Sequence, residues 1–412
     1  VDTSTKIRPR NVAMLFKLET TVGTDAAPTA ADAFPFEADG WSYNAPYRSE
    51  GSNEANGSLV ASAPLIVGQP AEVSIRVRLK GAGAGTTYTS LIRPPHHALL
   101  SACGKRGLFT AAVAAQAIVA GTTTSATLGA SFAATAQAYR GMPLQLAAGN
   151  SGGRLVHVSD YTAAKVATLT DIFGAALNTS VTAAVPANWT YAGTSPKDAV
   201  ARATDHPAGT LYLYEDGTLH KFVGCRGSIS DLSGQSARPG FCTFNLMGIY
   251  AGKSDATMPA ITVPQQAAPV LAQGAAGIDP AFVINRRELA ISQWSLNDGQ
   301  VKEVVDDPNT PFGFSSPELA GRAPTLAIDP TVTLKATRDT IAEIEAGTQY
   351  PSVLRFGGVA GNRWSIVNPL VAPADPQVGQ RGIYRTEQLS LAVLNPGVDA
   401  GSRDAETILC FY

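Results

Sequence analysis

The chain has 412 residues, 45% hydrophobic and 16% charged, enough apolar material for two or three packed domains. A formal net charge of -2 gives no overall basic field, which argues against a nucleic-acid reader but not against a conduit to which DNA must not stick. The cysteines, Cys103, Cys225, Cys242 and Cys410, include no C-x-x-C pair and read as reduced, partly buried thiols of a chain assembled in the cytosol. No apolar run reaches the ~20 residues that span a bilayer.

The start, "VDTSTKIRPRN", is polar and basic, lacks the apolar stretch of a secretory signal, and reads as a flexible arm. A first strand is expected over 12–20, then a Gly/Asp/Pro turn region, then a strand in "FEADGWSYN" with Trp41 and Tyr43 on one face. Residues 44–70 are polar and too long for an ordinary connection. In "AEVSIRVRLKG" Val73, Ile75, Val77 and Leu79 face one way and Ser74, Arg76, Arg78 and Lys80 the other, the period of a half-buried strand. "RPPHHALLSACG" reads as a short helix that Gly104 stops.

Between about 108 and 205 the composition turns to Ala, Thr and Gly with little charge, as in a small inserted β-domain. "GTLYLYEDGTLHKFVG" is a hairpin with Asp216-Gly217 at its turn, and two more strands follow. A Pro/Ala/Gln linker over 256–280 leads to a second half. There the order recurs: a strand, a polar stretch at 298–323, an alternating strand, a short helix in "DTIAEIEAG" with Asp339 or Thr340 as cap and Gly347 as stop, then further strands.

Residue matches support a duplication. Trp-Ser-x-Asn occurs at Trp41 and Trp294, and Gly-x-Arg-x-Ser-Ile at Gly224/Arg226 and Gly361/Arg363. "FCTFNLMGI" and "TEQLSLAVL" follow with matching alternation. The two motif spacings differ by about the length of the odd block. The expected architecture is mainly β: a discontinuous first domain (1–107 and 206–255), an inserted β-domain (108–205), a linker (256–280) and a related second domain (281–412).

With these residues in view, the chain resembles the major tail tube protein of long-tailed, non-contractile bacteriophages in its duplicated form. "VAMLFKLETTVGTDAAPTAADAF", "LLSACG" and "LYLYEDGTLHKFVGCRGSISDL" carry the likeness, over about 1–104 and 206–412. The resemblance implies two tail-tube-type β-sandwich or half-barrel domains, each with a short flanking helix. Three chains then make a ring with pseudo-sixfold symmetry, and rings stack into a hollow tube that conducts DNA during ejection. The inserted domain faces outward. Implied partners are other copies of the chain, the tape-measure protein in the lumen, the tail terminator and distal tail proteins, and double-stranded DNA in transit, with no membrane. The location is the virion tail, assembled in the host cytoplasm. The two polar stretches, with Arg48, Glu50, Glu54, Lys302, Glu303, Asp306, Asp307 and Arg322, are expected to clasp adjacent rings. Other readings are a different tail ring protein, distal tail or terminator, or a carbohydrate-binding adhesive β-sandwich.

No catalytic set, metal site or cofactor is expected. His96-His97 has no third ligand nearby and is expected to meet solvent or a neighbouring subunit. His220 is expected on an exposed strand position. "GAGAG" at 81–85 lacks the Lys-Ser/Thr of a phosphate loop, and Asp306-Asp307 precedes Pro308 in a solvated loop.

Overall fold

The structure is a computed structural model that describes residues 6–8, 10–44, 46–263, 267–271, 281–310 and 313–412. The chain is mainly β, with 46% strand and 6% helix. Much of the predicted linker, at 264–266 and 272–280, and most of the predicted N-terminal arm lie outside the described residues.

The first part supplies strands β1 (Val12–Leu18), β2 (Trp41–Tyr43), β3 (Tyr47–Glu50), β4 (Leu65–Gly68) and β5 (Ala71–Arg78), helix α1 (His97–Ala102) and strand β6 (Lys105–Thr110). Seven short strands follow: β7 (Val113–Ala117), β8 (Ala120–Gly121), β9 (Ser125–Thr127), β10 (Pro143–Ala147), β11 (Leu155–Tyr161), β12 (Val166–Leu169) and β13 (Thr182–Val185). Next are β14 (Asn188–Gly193), helix α2 (Ala199–Asp205), β15 (Gly209–Glu215), β16 (Thr218–Gln235) and β17 (Phe241–Asp255). Then come β18 (Phe282–Ile284), β19 (Arg287–Glu288), β20 (Gln293–Asn297), β21 (Val301–Glu303), β22 (Glu318–Gly321) and β23 (Thr325–Ile328). Helix α3 (Thr340–Glu345), β24 (Tyr350–Phe356), β25 (Trp364–Arg381), β26 (Tyr384–Val393) and β27 (Asp404–Phe411) end the chain.

Local chemistry explains the elements that matter here. In β5 the alternation buries Ala71, Val73, Ile75 and Val77, while Glu72, Arg76 and Arg78 stay outside. The β15–β16 hairpin turns at Asp216 (φ 42) and Gly217 (φ 95), the left-handed pair of a two-residue turn. The Asp339 carboxylate accepts from Ala342 N–H at 3.1 Å and caps α3.

Among the described residues, sixteen strands form one large sheet that curls into a half-barrel. Two runs of six strands in it share one connectivity. The first is β1-β15-β16-β17-β5-β2; the second is β18-β24-β25-β26-β23-β20. In each run a short helix separates the same two strands in sequence, α1 before β15 and α3 before β24. In each a two-stranded ribbon interrupts the same connection: β3–β4 between β2 and β5, and β21–β22 between β20 and β23. The long strands β16 and β25 are 18 residues each, and each breaks register once in its C-terminal half, at Ile229/Asp231 and at Ala374/Gln377. One buried apolar cluster, from Met14 to Phe411, fills both runs.

The compositionally odd block is not one sheet. Its ends, β6 and β14, belong to the large sheet, where β14 lies between β6 and the C-terminal β27. Only β7–β13 form the separate seven-stranded sheet, with a core of their own around Leu144, Val156, Tyr161 and Leu169. That sheet is thus carried on a stalk of two strands beside the second run.

Candidate functional site

The two runs meet edge to edge. On one side of β16, β15 covers the N-terminal half, leaving the C-terminal residues open. Strand β20, the outermost strand of the second run, fills that opening. Leu232–Gln235 pair antiparallel with Gln293–Leu296, with Leu232 opposite Leu296 and Gly234 opposite Trp294. Leu232, Leu296 and Trp294 are 1%, 2% and 2% exposed, so the strand junction is also a core contact. Burying one such side chain contributes about 1.5–3 kcal/mol. On the other face Ser295 donates to Asp231 at 3.0 Å, and Ser233 donates to its second oxygen at 2.6 Å.

The β21–β22 ribbon extends this junction over the first run. Ile229 N–H donates to Gln300 Oε1 at 2.8 Å, and Gln300 Nε2 donates to the Cys103 carbonyl at 2.6 Å. Lys302 donates to the Asn245 carbonyl at 2.9 Å, and burial lowers its ammonium from the usual range. At the base of the ribbon, Lys105 and Asp298 form an ion pair at 2.6 Å with both side chains buried. Arg322 meets Glu406 at 3.0 Å and also Asp404. Burial alone would lower the Arg322 guanidinium, but the two carboxylates together raise it. Lys302 and Arg322, expected to reach an adjacent ring, are therefore engaged within the chain.

The other expected clasp residues lie elsewhere. Glu303 and Asp306 are exposed, and Asp307 accepts from Asn309 N–H at 3.0 Å inside its own turn. Arg48 and Glu50 stand on the exposed β3–β4 ribbon, and Glu54 is exposed beyond it.

The repeated motifs divide. Trp41 and Trp294 are equivalent: Trp41 pairs with Ile75 and Trp294 with Ile328 on matching strands. The Gly-x-Arg pairs are not. Gly224 lies within β16 at φ +62, where an added Cβ would sit 2.1 Å from Ser316 Oγ of the second ribbon, and Arg226 donates to the Pro317 carbonyl at 3.0 Å. Gly361 and Arg363 precede β25; a Cβ on Gly361 would meet the Thr86 carbonyl at 2.3 Å. Four shared residue types arose in different settings. The junction residues that the sequence left unmarked are Asp231, Leu232 and Gln300; Asp298 falls in the polar stretch that was expected to clasp an adjacent ring. Only the isolated polar Gln300 and Asp298 in the ribbon carried any signal, and it did not name their partners.

The polar face opposite the core holds a hollow of about 670 Å³ over the junction, lined by Arg76, Asp231, Ser233, Gln293, Ser295 and Gln388, among others. Two cations line it, Arg76, whose guanidinium lies 4.2 Å over the Phe241 ring, and Arg238; outside the hollow Arg78 pairs with Glu37 at 2.7 Å. Lys80, expected beside them, is buried.

A second polar cluster has the components of a nucleophile set. His157 Nε2 is 2.8 Å from Ser365 Oγ, Arg355 Nε donates to His157 Nδ1 at 3.2 Å, and Arg355 also meets Asp171. The Arg355 contact makes Nδ1 the acceptor, so Nε2 carries the proton and faces the serine as a donor. Such a histidine cannot take the serine proton. Burial, then Arg355, drives its pKa well below the ordinary value, and all four side chains are buried. The cluster fastens the seven-stranded sheet to β24 and β25. His96, expected at the surface, is 1% exposed beside the Pro35 carbonyl; His97 bonds Tyr191 at 2.8 Å. His220 is likewise buried, next to Tyr250. All four cysteines are free and buried.

Among the described residues no group of three or more His, Cys, Asp or Glu could hold a metal ion, and no helix is long and apolar enough to cross a membrane. No protein-family model matches the chain, and no curated protein matches it.

Proposed function

We propose that this chain is the structural subunit of a hollow tube of the kind built by the major tail tube proteins of long-tailed, non-contractile bacteriophages, each run of six strands being one tube domain. Three chains would close a ring of six domains, rings would stack, and the bore would pass double-stranded DNA. The seven-stranded sheet would face outward. By the same resemblance the tape-measure protein, tail terminator and distal tail proteins are its partners, and the virion tail its place, after assembly in the host cytoplasm.

One observation carries this reading: a single chain contains the same strand connectivity twice, and the copies join through unlike edges, the end strand of one meeting the open middle of the other. A contact between unlike surfaces repeats from unit to unit and closes into a ring when the rotation allows. Joined edges also remove the free strand edges that promote aggregation. The hollow is compatible with a bore to which phosphate does not stick, since Asp231, Asp329 and Asp375 line it beside Arg76 and Arg238 and Arg76 faces the Phe241 ring. A lasting ring calls for an interface on the order of 2,000–5,000 Å².

A carbohydrate-binding reading would use the half-buried Trp41 and the exposed Tyr43 and Tyr47. The first two occupy the positions that Trp294 and Leu296 hold at a strand junction, which favours assembly over glycan stacking. Negative-stain microscopy of the concentrated chain tests the proposal. Rings with threefold symmetry, or tubes, are expected. Monodisperse monomers that bind glycans overturn it; rings of six whole chains overturn the count of three.

A further inference from the structure

The internal junction predicts an external one. Equivalent positions follow from the pairing. Ile75 lies between Trp41 and Phe244, and Ile328 lies between Trp294 and Leu389. Trp41 therefore matches Trp294, and Tyr43 matches Leu296. Next to Phe244 and Leu389, Thr243 faces Asp231 and Gln388 faces Gln377. On the long strands, then, Asp231 matches Gln377 and Leu232 matches Val378.

We infer that the open edge of β25 at Val378–Arg381 is completed by β2 of a second copy of this chain, in the register that β20 uses on β16. This rests on the ring reading above and names its contact. Val378 would stand opposite Tyr43 of the second copy, and Gln380 opposite its Trp41.

Three observations converge on it. First, β24 covers β25 only as far as Val371, and no described strand pairs with Val378–Arg381 on that side; β2 in turn ends the sheet. Second, the side chains whose equivalents are buried are here exposed. Val378 is 78% exposed where Leu232 is 1%, and Tyr43 is 36% exposed where Leu296 is 2%. Ile383 in the turn after β25 and Tyr384 at the start of β26 are also exposed, at 89% and 63%. An unprotected apolar edge of this kind is what monomeric sheets avoid. Third, the polar side fits. Gln377 stands where Asp231 accepts from Ser295, and Ser42 stands where Ser295 does, so an amide can accept the hydroxyl proton.

Directed crosslinking tests the register. The full-length single variants V378C and Y43C, made different in mass by a fusion tag on one, are mixed at assembling concentration and treated with a thiol oxidant. Both positions are exposed, and circular dichroism checks the fold. The expected result is a mixed disulfide that forms about tenfold faster than with the off-register pair V378C and S42C, whose side chains point to opposite faces. Rings seen by microscopy without that preference overturn the strand assignment and leave the ring reading standing. Chains that sediment as monomers at the same concentration, without crosslinking, overturn both.

Discussion

The two ribbons occupy the same place in their runs and differ in what they touch. The β21–β22 ribbon is fixed on the first run by Gln300 and Lys302, and at its base on β6 by the buried Lys105–Asp298 pair. The β3–β4 ribbon is exposed over all of β3 and the first half of β4, with Tyr47, Leu65 and Ile66 at 53%, 66% and 63%. Connectivity is the same and surroundings are not. The outermost strand of the second run, β20, pairs with the first run, whereas the outermost strand of the first run, β2, ends the sheet. On the ring reading proposed above, the difference teaches that exposure on the first ribbon corresponds to a neighbour in a second copy rather than to a loop adapted to water.

The largest effect should come from breaking the fixed ribbon. Asp298→Ala leaves the Lys105 ammonium buried without its carboxylate, and such a break costs about 3–5 kcal/mol. Urea denaturation of the single chain reads it as a lower midpoint. The double change Asp298→Leu with Lys105→Met should recover most of the loss, because no charge is then stranded. A double variant as unstable as the single would mean that ribbon shape, not the ion pair, holds the contact.

Acid should distinguish the runs next. The five histidines, His96, His97, His157, His206 and His220, are all lowered by burial; His96 and His220 pack within the first run, while His157 packs on Arg355 and Ser365 of β24 and β25. His96 is pushed down to about 4, chiefly by burial. The unfolded chain takes up this proton near the ordinary value, about 6.5, while the folded chain resists it until about 4. Stability is therefore full above about 6.5 and falls as the pH drops between the two values, by about 3 kcal/mol for His96 over the whole window. Hydrogen exchange on lowering the pH to about 5 should quicken in β1, β5 and β15–β17 before β23 and β26, which no histidine touches through a hydrogen bond among the described residues. Equal acceleration in both runs would remove the asymmetry.

How much of this was legible depended on range. The alternation of Val73, Ile75 and Val77 is written locally, and the structure follows it. The match of "FCTFNLMGI" to "TEQLSLAVL" is in register, because Phe244 and Leu389 both oppose the isoleucine next to the conserved tryptophan position. A buried alternating face constrains every second residue, so such matches are hard to slip. The Gly-x-Arg match had no such constraint: Gly224 answers to Ser316 and Gly361 to the Thr86 carbonyl. The junction itself was illegible. Lys105 meets Asp298, and Leu232 meets Leu296, across distances in sequence that no local pattern spans. The stalk of β6 and β14 was hidden for the same reason, since their alternation does not say that their sheet partner is the C-terminal strand β27.

The smallest effect on the lone chain should come from the free ribbon, where the consequence for assembly is greatest. Leu65→Ser with Ile66→Ser changes side chains that are 66% and 63% exposed, so the denaturation midpoint should correspond to a shift within about 0.5 kcal/mol. Sedimentation of concentrated protein should nevertheless show fewer assembled chains, because those side chains lose an apolar surface only when a neighbour is present. The same serines in a chain already crosslinked through V378C and Y43C should assemble more fully, since the covalent link holds the neighbour in place. A lone chain markedly destabilised by these serines would place the first ribbon in its own core and erase the contrast between the ribbons. An unchanged midpoint together with unchanged assembly would assign the ribbon to solvent and leave the strand edges as the whole of the contact.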